Sequence, residues 1–325
     1  MSCSHREEQR EGRLFDVLTD ETTGLRLVVS RLGAELVSLA RRDENGDWIG
    51  FLHRDGDLTA PGKGWGNHAT VMGFFLHRLK DQRSLYRGQP IEGGTHSFLR
   101  GKEWRAPHMD AEQGRLTYTI EPAEYTATEY PLAVALELSY AIEEEDVRIT
   151  FVFDNQEPER AAHLGFGLHP GFAAANFESF GLGMPAGRYR RHFSPTNYLS
   201  GQTQDFDFSG GEMPFDREKL PGSFILELVD VPERTFTFYD PPTRRSVTLE
   251  LDGVPYVTLW SDGGAFLCVE PCWGLTDHDQ QRPFEDKEGI QVLAAGMQLE
   301  AGFTMSPRLQ LPAAFDREST EGATE

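Results

Sequence analysis

Two-fold alternation over residues 132–154 is the feature that most narrows the folds open to this chain. Leu132, Val134, Leu136, Leu138, Tyr140 and Ile142 alternate with smaller or polar residues. After the acidic turn Glu143 to Asp146, Val147, Ile149, Phe151 and Phe153 alternate with Arg148, Thr150, Val152 and Asp154. Successive side chains of a strand point to opposite faces, so each run presents one apolar face, and the short turn between them predicts an antiparallel hairpin. Segments of similar kind occur at 13–18, 24–30, 35–41, 114–120, 223–229, 234–239, 245–251, 255–260 and 265–270, and Glu44-Asn45-Gly46 supplies an early hairpin turn. No window of a dozen residues carries a helical period. Strands that follow one another without helices predict an all-β fold, a large antiparallel β-sandwich of two sheets. No internal repeat supports a propeller or solenoid.

With 325 residues, an apolar share of 38% and 22 Phe, the chain has material for a sizeable core, and 33 Gly with 19 Pro supply its many turns. The Pro and Gly clusters at 60–66, 210–222 and 240–243 are short and read as loops rather than linkers, so 13–312 is expected to form a single β-sandwich domain. Residues 1–12 and the acidic tail 313–325 are polar and are expected to be disordered. The net charge of −21, from 52 acidic against 31 basic residues, repels phosphate backbones and anionic headgroups, which argues against nucleic acid and membrane partners. Cys3, Cys268 and Cys272 do not make a disulfide framework, the N-terminus lacks an apolar leader, and no run is long enough to span a bilayer. A cytoplasmic protein, monomer or homodimer, is expected.

Three segments carry chemistry. His163 to Phe172, with two histidines among glycines before Pro170, reads as a pocket wall where glycine permits close backbone approach, or as a glycine-rich bend around a hydrogen-bonded His. In Phe266 to Gly274, Glu270 ends an apolar strand. A carboxylate buried there must be paired, hydrogen-bonded or shifted toward neutrality, the conditions that tune a general base. Trp273 beside it stacks on a sugar ring or belongs to the core. His96 to Arg100, followed by Trp104, joins a ring nitrogen, a fixed cation and an aromatic in a glycine-rich loop, and upstream His77-Arg78 leads toward the turn Arg87-Gly88.

In their order, Arg78, His96 to Arg100, Gly167 to Phe172 and Glu270 to Gly274, these segments resemble the landmarks of the aldose 1-epimerase family, the galactose mutarotase-like proteins, and especially its shorter bacterial branch. The likeness runs over roughly residues 13–309. It implies the galactose mutarotase-like supersandwich and an isomerase that interconverts the anomers of a free hexose. It also implies roles: Glu270 and His169 as catalytic base and acid, with Arg78, His96, Trp273 and Asp277 binding the sugar. His169 is then expected to carry a proton at rest, favoured by Glu270. The chain departs from the family pattern at Ser97 and Leu99, where Gly and Ala are commoner. It departs again at Cys272-Trp273, which stand transposed, so that in an extended strand the indole faces the side opposite to the usual one.

Ring opening by proton exchange needs neither metal nor organic cofactor, and Cys268 and Cys272 alone are a poor zinc pattern. A hexose-6-phosphate 1-epimerase is the nearest alternative, its phosphate held by Arg78, Lys80, Arg83, Arg87, Arg100 or Lys102. A sugar-binding or sensory protein of the same fold without turnover is the alternative from another class.

Overall fold

Residues 3–316 are described by the computed structural model, and the strand pairing within its sheets is antiparallel throughout. The hairpin at its centre forms as the alternation requires. Val134–Glu143 pairs with Asp146–Asn155 in unbroken register, Val134 opposite Asn155 and Glu143 opposite Asp146. Leu136, Leu138, Tyr140, Ile149, Phe151 and Phe153 are fully buried, and burying each such side chain stabilises the fold by about 1.5–3 kcal/mol. The hairpin lies inside a nine-stranded sheet, flanked by Arg115–Ile120 and Gln298–Arg308.

An eight-stranded sheet faces it, with Tyr256–Trp260, Phe266–Trp273 and Ala162–Ala173 as consecutive neighbours; Ala69–Phe74, one of the eight, pairs with Ala162–Ala173 off the main strand order. Phe166 meets Phe153 with ring centroids 4.6 Å apart, and Phe172 meets Phe238 at 5.6 Å, so the aromatic core is the layer between the two sheets. A separate five-stranded sheet is built from the first fifty residues.

The N-terminal expectation fails. Cys3–Arg10 is a strand that pairs residue for residue with Arg13–Asp20 across the turn Glu11-Gly12, where both residues take positive φ, 50° and 79°. Gly12 is suited to that turn because it adopts the left-handed region without steric cost. An edge strand is often heavily charged, since charge blocks edge-to-edge pairing, which is why composition alone read as disorder. Asp16 ties the sheet down: fully buried, it accepts from Arg31 Nε and Nη2 at 2.9 Å, from Tyr118 Oη at 3.1 Å, and contacts His5 Nε2 at 2.9 Å. At the other end, residues 313–316 are also ordered, Phe315 stacking on Tyr239 at 4.4 Å; the rest of the expected tail lies outside the described residues.

Candidate active site

Ala162–Ala173 runs between Ala69–Phe74 and Phe266–Trp273, and the register that sets Phe166 opposite Trp273 and Gly171 opposite Cys268 brings His169 beside Glu270. Glycine makes the approach possible. A Cβ on Gly167 would collide with the Pro271 carbonyl, and one on Gly171 would come within 2.5 Å of the Trp65 indole. His169 Nε2 lies 3.3 Å from Glu270 Oε1, with both side chains almost wholly buried. His163, the other histidine of the segment, is structural: its Nδ1 lies 2.9 Å from the Tyr86 hydroxyl.

A cavity of about 270 Å³ opens over the pair. Arg78, His96, His169 and Glu270 all line it, so four of the six residues singled out in the sequence converge there. His96 packs edge-on against His169 at 5.2 Å and against His77 at 5.5 Å. His77, His96 and Ser97 have φ of 53°, 65° and 66°. Each such left-handed residue costs roughly 1–2 kcal/mol, strain of the kind that concentrates at functional sites.

Trp273 does not line this cavity. It stacks on Phe166 at 5.0 Å with the rings 9° from parallel and donates from Nε1 to the Gly253 carbonyl at 3.1 Å, inside the inter-sheet core. The transposition with Cys272 accounts for this, because neighbouring residues of a strand face opposite sides. Two other indoles take the cavity wall: Trp65 stacks on His169 at 4.9 Å, and Trp260 meets the same ring edge-on at 5.8 Å. Trp65 had a local signal, a large aromatic in the polar glycine loop 60–66 with no periodic partner. Trp260 had only its place at a strand end.

Asp277 does not line the cavity either. Its Oδ1 is 2.7 Å from Lys287 Nζ, its Oδ2 accepts from the Lys80 amide at 2.8 Å, and its own amide donates to the Arg78 carbonyl at 3.0 Å. It secures the loop that carries Arg78. Of the six basic residues near the motif loops, Arg78 and Arg100 alone line this cavity; Lys102, for example, is paired with Glu129.

Electrostatics reverse one expectation. Burial pushes the Glu270 carboxyl well up and the His169 imidazole down, with the neighbouring His77 adding to the second effect. Desolvation penalises both charged forms, so the pair rests with its proton on Glu270 rather than on His169. Three atoms of the lining residues, Glu270 Oε2, His169 Nδ1 and His96 Nδ1, are buried with no hydrogen-bond partner among the described residues. Each is costly, by about 1–3 kcal/mol, and a ligand rich in hydroxyls is suited to satisfy them. His77, Glu270 and Cys272 also bring one donor atom each within 4.8 Å of one another. Burial holds the Cys272 thiol and the Glu270 carboxyl toward their protonated forms, so a cation there would have to displace those protons.

A two-sheet antiparallel supersandwich with an imidazole–carboxyl pair at the base of a polar, indole-walled cavity defines a galactose mutarotase-like protein. Solved structures agree on the fold. A galactose mutarotase related enzyme from Lactobacillus acidophilus superposes with a TM-score of 0.78 at 22% identity, covering 94% of this chain and 97% of that one. A galactose mutarotase-like protein from Lactobacillus casei gives 0.76 at 19%, with 94% and 100% covered. The GalM/aldose epimerase homologue from C. elegans gives 0.67 at 14%, with 95% and 100% covered. The family model described as aldose 1-epimerase matches residues 16–306, and the chain belongs to that family. Comparison with curated proteins gives no match.

Proposed function

We propose that the protein is an aldose 1-epimerase that interconverts the α and β anomers of a free hexose. The observation that carries this is the buried His169–Glu270 contact of 3.3 Å, a matched donor and acceptor lining a cavity of sugar size. Ring opening removes the proton of the anomeric hydroxyl while another proton is delivered to the ring oxygen. The C1–O5 bond breaks and the aldehyde forms. After rotation about C1–C2, the carbonyl oxygen is protonated, the O5 hydroxyl loses its proton, and the ring closes on the other face. The pair returns to its starting state with one proton. A proton shift between Glu270 and His169 converts the resting pair into Glu270 carboxylate and His169 imidazolium, which sets Glu270 at the anomeric hydroxyl and His169 at the ring oxygen. His96 and Arg78 orient the hydroxyls, and Trp65 and Trp260 cover the apolar face of the ring.

The test is anomer interconversion followed by NMR from freshly dissolved α-glucose and α-galactose. Acceleration over buffer is expected; a folded protein that accelerates none of the sugars tried sinks the proposal. Hexose 6-phosphate is the second reading, favoured by Arg78 and Arg100, which line the cavity without a carboxylate partner among the described residues. A strong preference for glucose 6-phosphate in the same assay selects it.

The pH profile follows from the two shifts. The active pair holds one proton. Because His169 is depressed below its ordinary 6.5, a second proton is gained only in acid well below that value. Because Glu270 is raised well above its ordinary 4.5, the single proton is held beyond the ordinary carboxyl range. The expected kcat/KM therefore does not fall as pH drops through the ordinary histidine range. A rise centred on the ordinary histidine range, with activity falling as pH drops below about 6.5, argues that His169 titrates as an unburied imidazole.

The indoles give a separate check. Trp65→Ala is expected to raise KM about three- to tenfold, the loss of one stacking contact, whereas Trp273→Phe leaves KM within about twofold. The opposite order returns the sugar platform to Trp273.

The three cysteines are unpaired, which suits the cytoplasm, and we read the protein as working there.

A further inference from the structure

Two side chains beside the acid–base pair have no part in ring opening. Cys272 stands two residues after Glu270 on the strand Phe266–Trp273, so alternation turns its thiol to the same side of the sheet as the carboxyl, away from Trp273. His77 follows Ala69–Phe74 and lines the cavity, held at a left-handed φ of 53°. His77, Glu270 and Cys272 offer one donor atom each, and the three atoms lie within 4.8 Å of one another. A tetrahedral zinc ion separates such donors by about 3.3–3.8 Å, so the set has only about 1 Å to close.

Little in the protein competes for these atoms. Among the described residues, the His77 ring and the Cys272 thiol share one hydrogen-bonding neighbour, the Thr258 hydroxyl, which lies 3.5 Å from Nε2 and 3.9 Å from Sγ, near the outer limit for each kind of contact. Glu270 Oε2, on a side chain 1% exposed, has no partner there. Thiolate, imidazole and carboxylate together select a borderline ion such as zinc over magnesium or calcium, which take oxygen ligands. The charges also balance. Zn2+ with one thiolate, one carboxylate and a neutral imidazole carries no net charge inside the fold, where an uncompensated charge is costly.

We propose that His77, Glu270 and Cys272 form an inhibitory zinc site, in which the ion takes Glu270 away from His169. Binding makes Zn–N, Zn–O and Zn–S bonds and releases the thiol and carboxyl protons to solvent, with no change of oxidation state. Three protein ligands leave a fourth position for water. The inhibition, but not the binding, rests on the ring-opening reading of the pair.

The test uses the full-length protein, reduced and stripped of metal by EDTA and dialysis. Co2+, standing in for Zn2+, is expected to bind one to one and to give the near-ultraviolet absorption of a thiolate–cobalt bond, which Cys272→Ala abolishes. Zinc at about 10 µM is expected to slow interconversion at least about tenfold, reversibly by EDTA, whereas Mg2+ at about 1 mM changes the rate less than about twofold. Cys272→Ala is expected to keep the metal-free rate within about twofold and to need at least about tenfold more zinc for the same inhibition. His77→Asn, whose new side chain tolerates positive φ, reads zinc sensitivity against its own metal-free rate should Cys272→Ala fail to fold. No thiolate–cobalt band, a band that survives Cys272→Ala, zinc that binds without slowing the reaction, or equal zinc inhibition of wild type and variant would each overturn the proposal. Should the metal-free protein interconvert no sugar, the ring-opening reading falls instead, and the cobalt band by itself decides the metal site.

Discussion

Glu270→Gln is expected to slow anomer interconversion by roughly a hundredfold to ten-thousandfold, the range for losing a positioned acid or base, with sugar affinity changed only a few-fold. The substitution keeps the shape and one oxygen of the side chain but holds no transferable proton, so the one-proton pair with His169 cannot form. His169→Asn is expected to fall as far, because either partner alone leaves the other without a place to send or receive its proton. The two losses are not additive: in the double variant the rate should be close to that of the worse single one. Near-normal rates in either folded variant would remove that residue from the chemistry. Circular dichroism and a thermal melt belong beside the rates, since Glu270 is buried and its replacement changes a polar group inside the fold.

Lys287→Ala is expected to lower stability by about 3–5 kcal/mol, the cost of leaving a buried charge without its partner. Lys287 and Asp277 side chains are 3% and 1% exposed, and burial already depresses the Lys287 ammonium despite the opposing pull of Asp277. The Asp277 backbone holds the Arg78 carbonyl and its carboxylate holds the Lys80 amide, so loss of the pair loosens the loop that presents Arg78 to the cavity. KM should rise while kcat changes less. Urea unfolding and steady-state kinetics separate the two effects. A double replacement, Lys287→Met with Asp277→Leu, should recover much of the stability, because no unpaired charge remains, but not the KM. A destabilisation under about 1 kcal/mol for Lys287→Ala would show that Asp277 is satisfied without it.

The strands were legible because alternation is local. Every strand segment expected between 13–18 and 265–270 is present, and the central hairpin keeps the register implied by its apolar face. The strand at Cys3–Arg10 was not legible, since its apolar content is low and its order comes from pairing with Arg13–Asp20. The site divides in the same way. His169 and Glu270 stand in compact motifs whose glycines and prolines mark a close approach of strands, and Arg78 and His96 follow in order along the chain. Trp65 and Trp260 escaped because nothing in their own neighbours states which cavity they face.

By itself, then, the amino-acid order determined an antiparallel β-sandwich, which rests on side-chain period acting over a few residues. The pairing of an imidazole with a carboxyl was implied by the resemblance of short motifs to a known family. Only the tertiary structure decided that Trp273 belongs to the core and Trp65 to the cavity, since the side an indole takes depends on strand register and on the sheet opposite. It also decided that Asp277 serves Lys287 rather than a ligand, and that the shared proton rests on Glu270. Desolvation sets that last choice, and desolvation exists only once strands distant in sequence have closed over the pair.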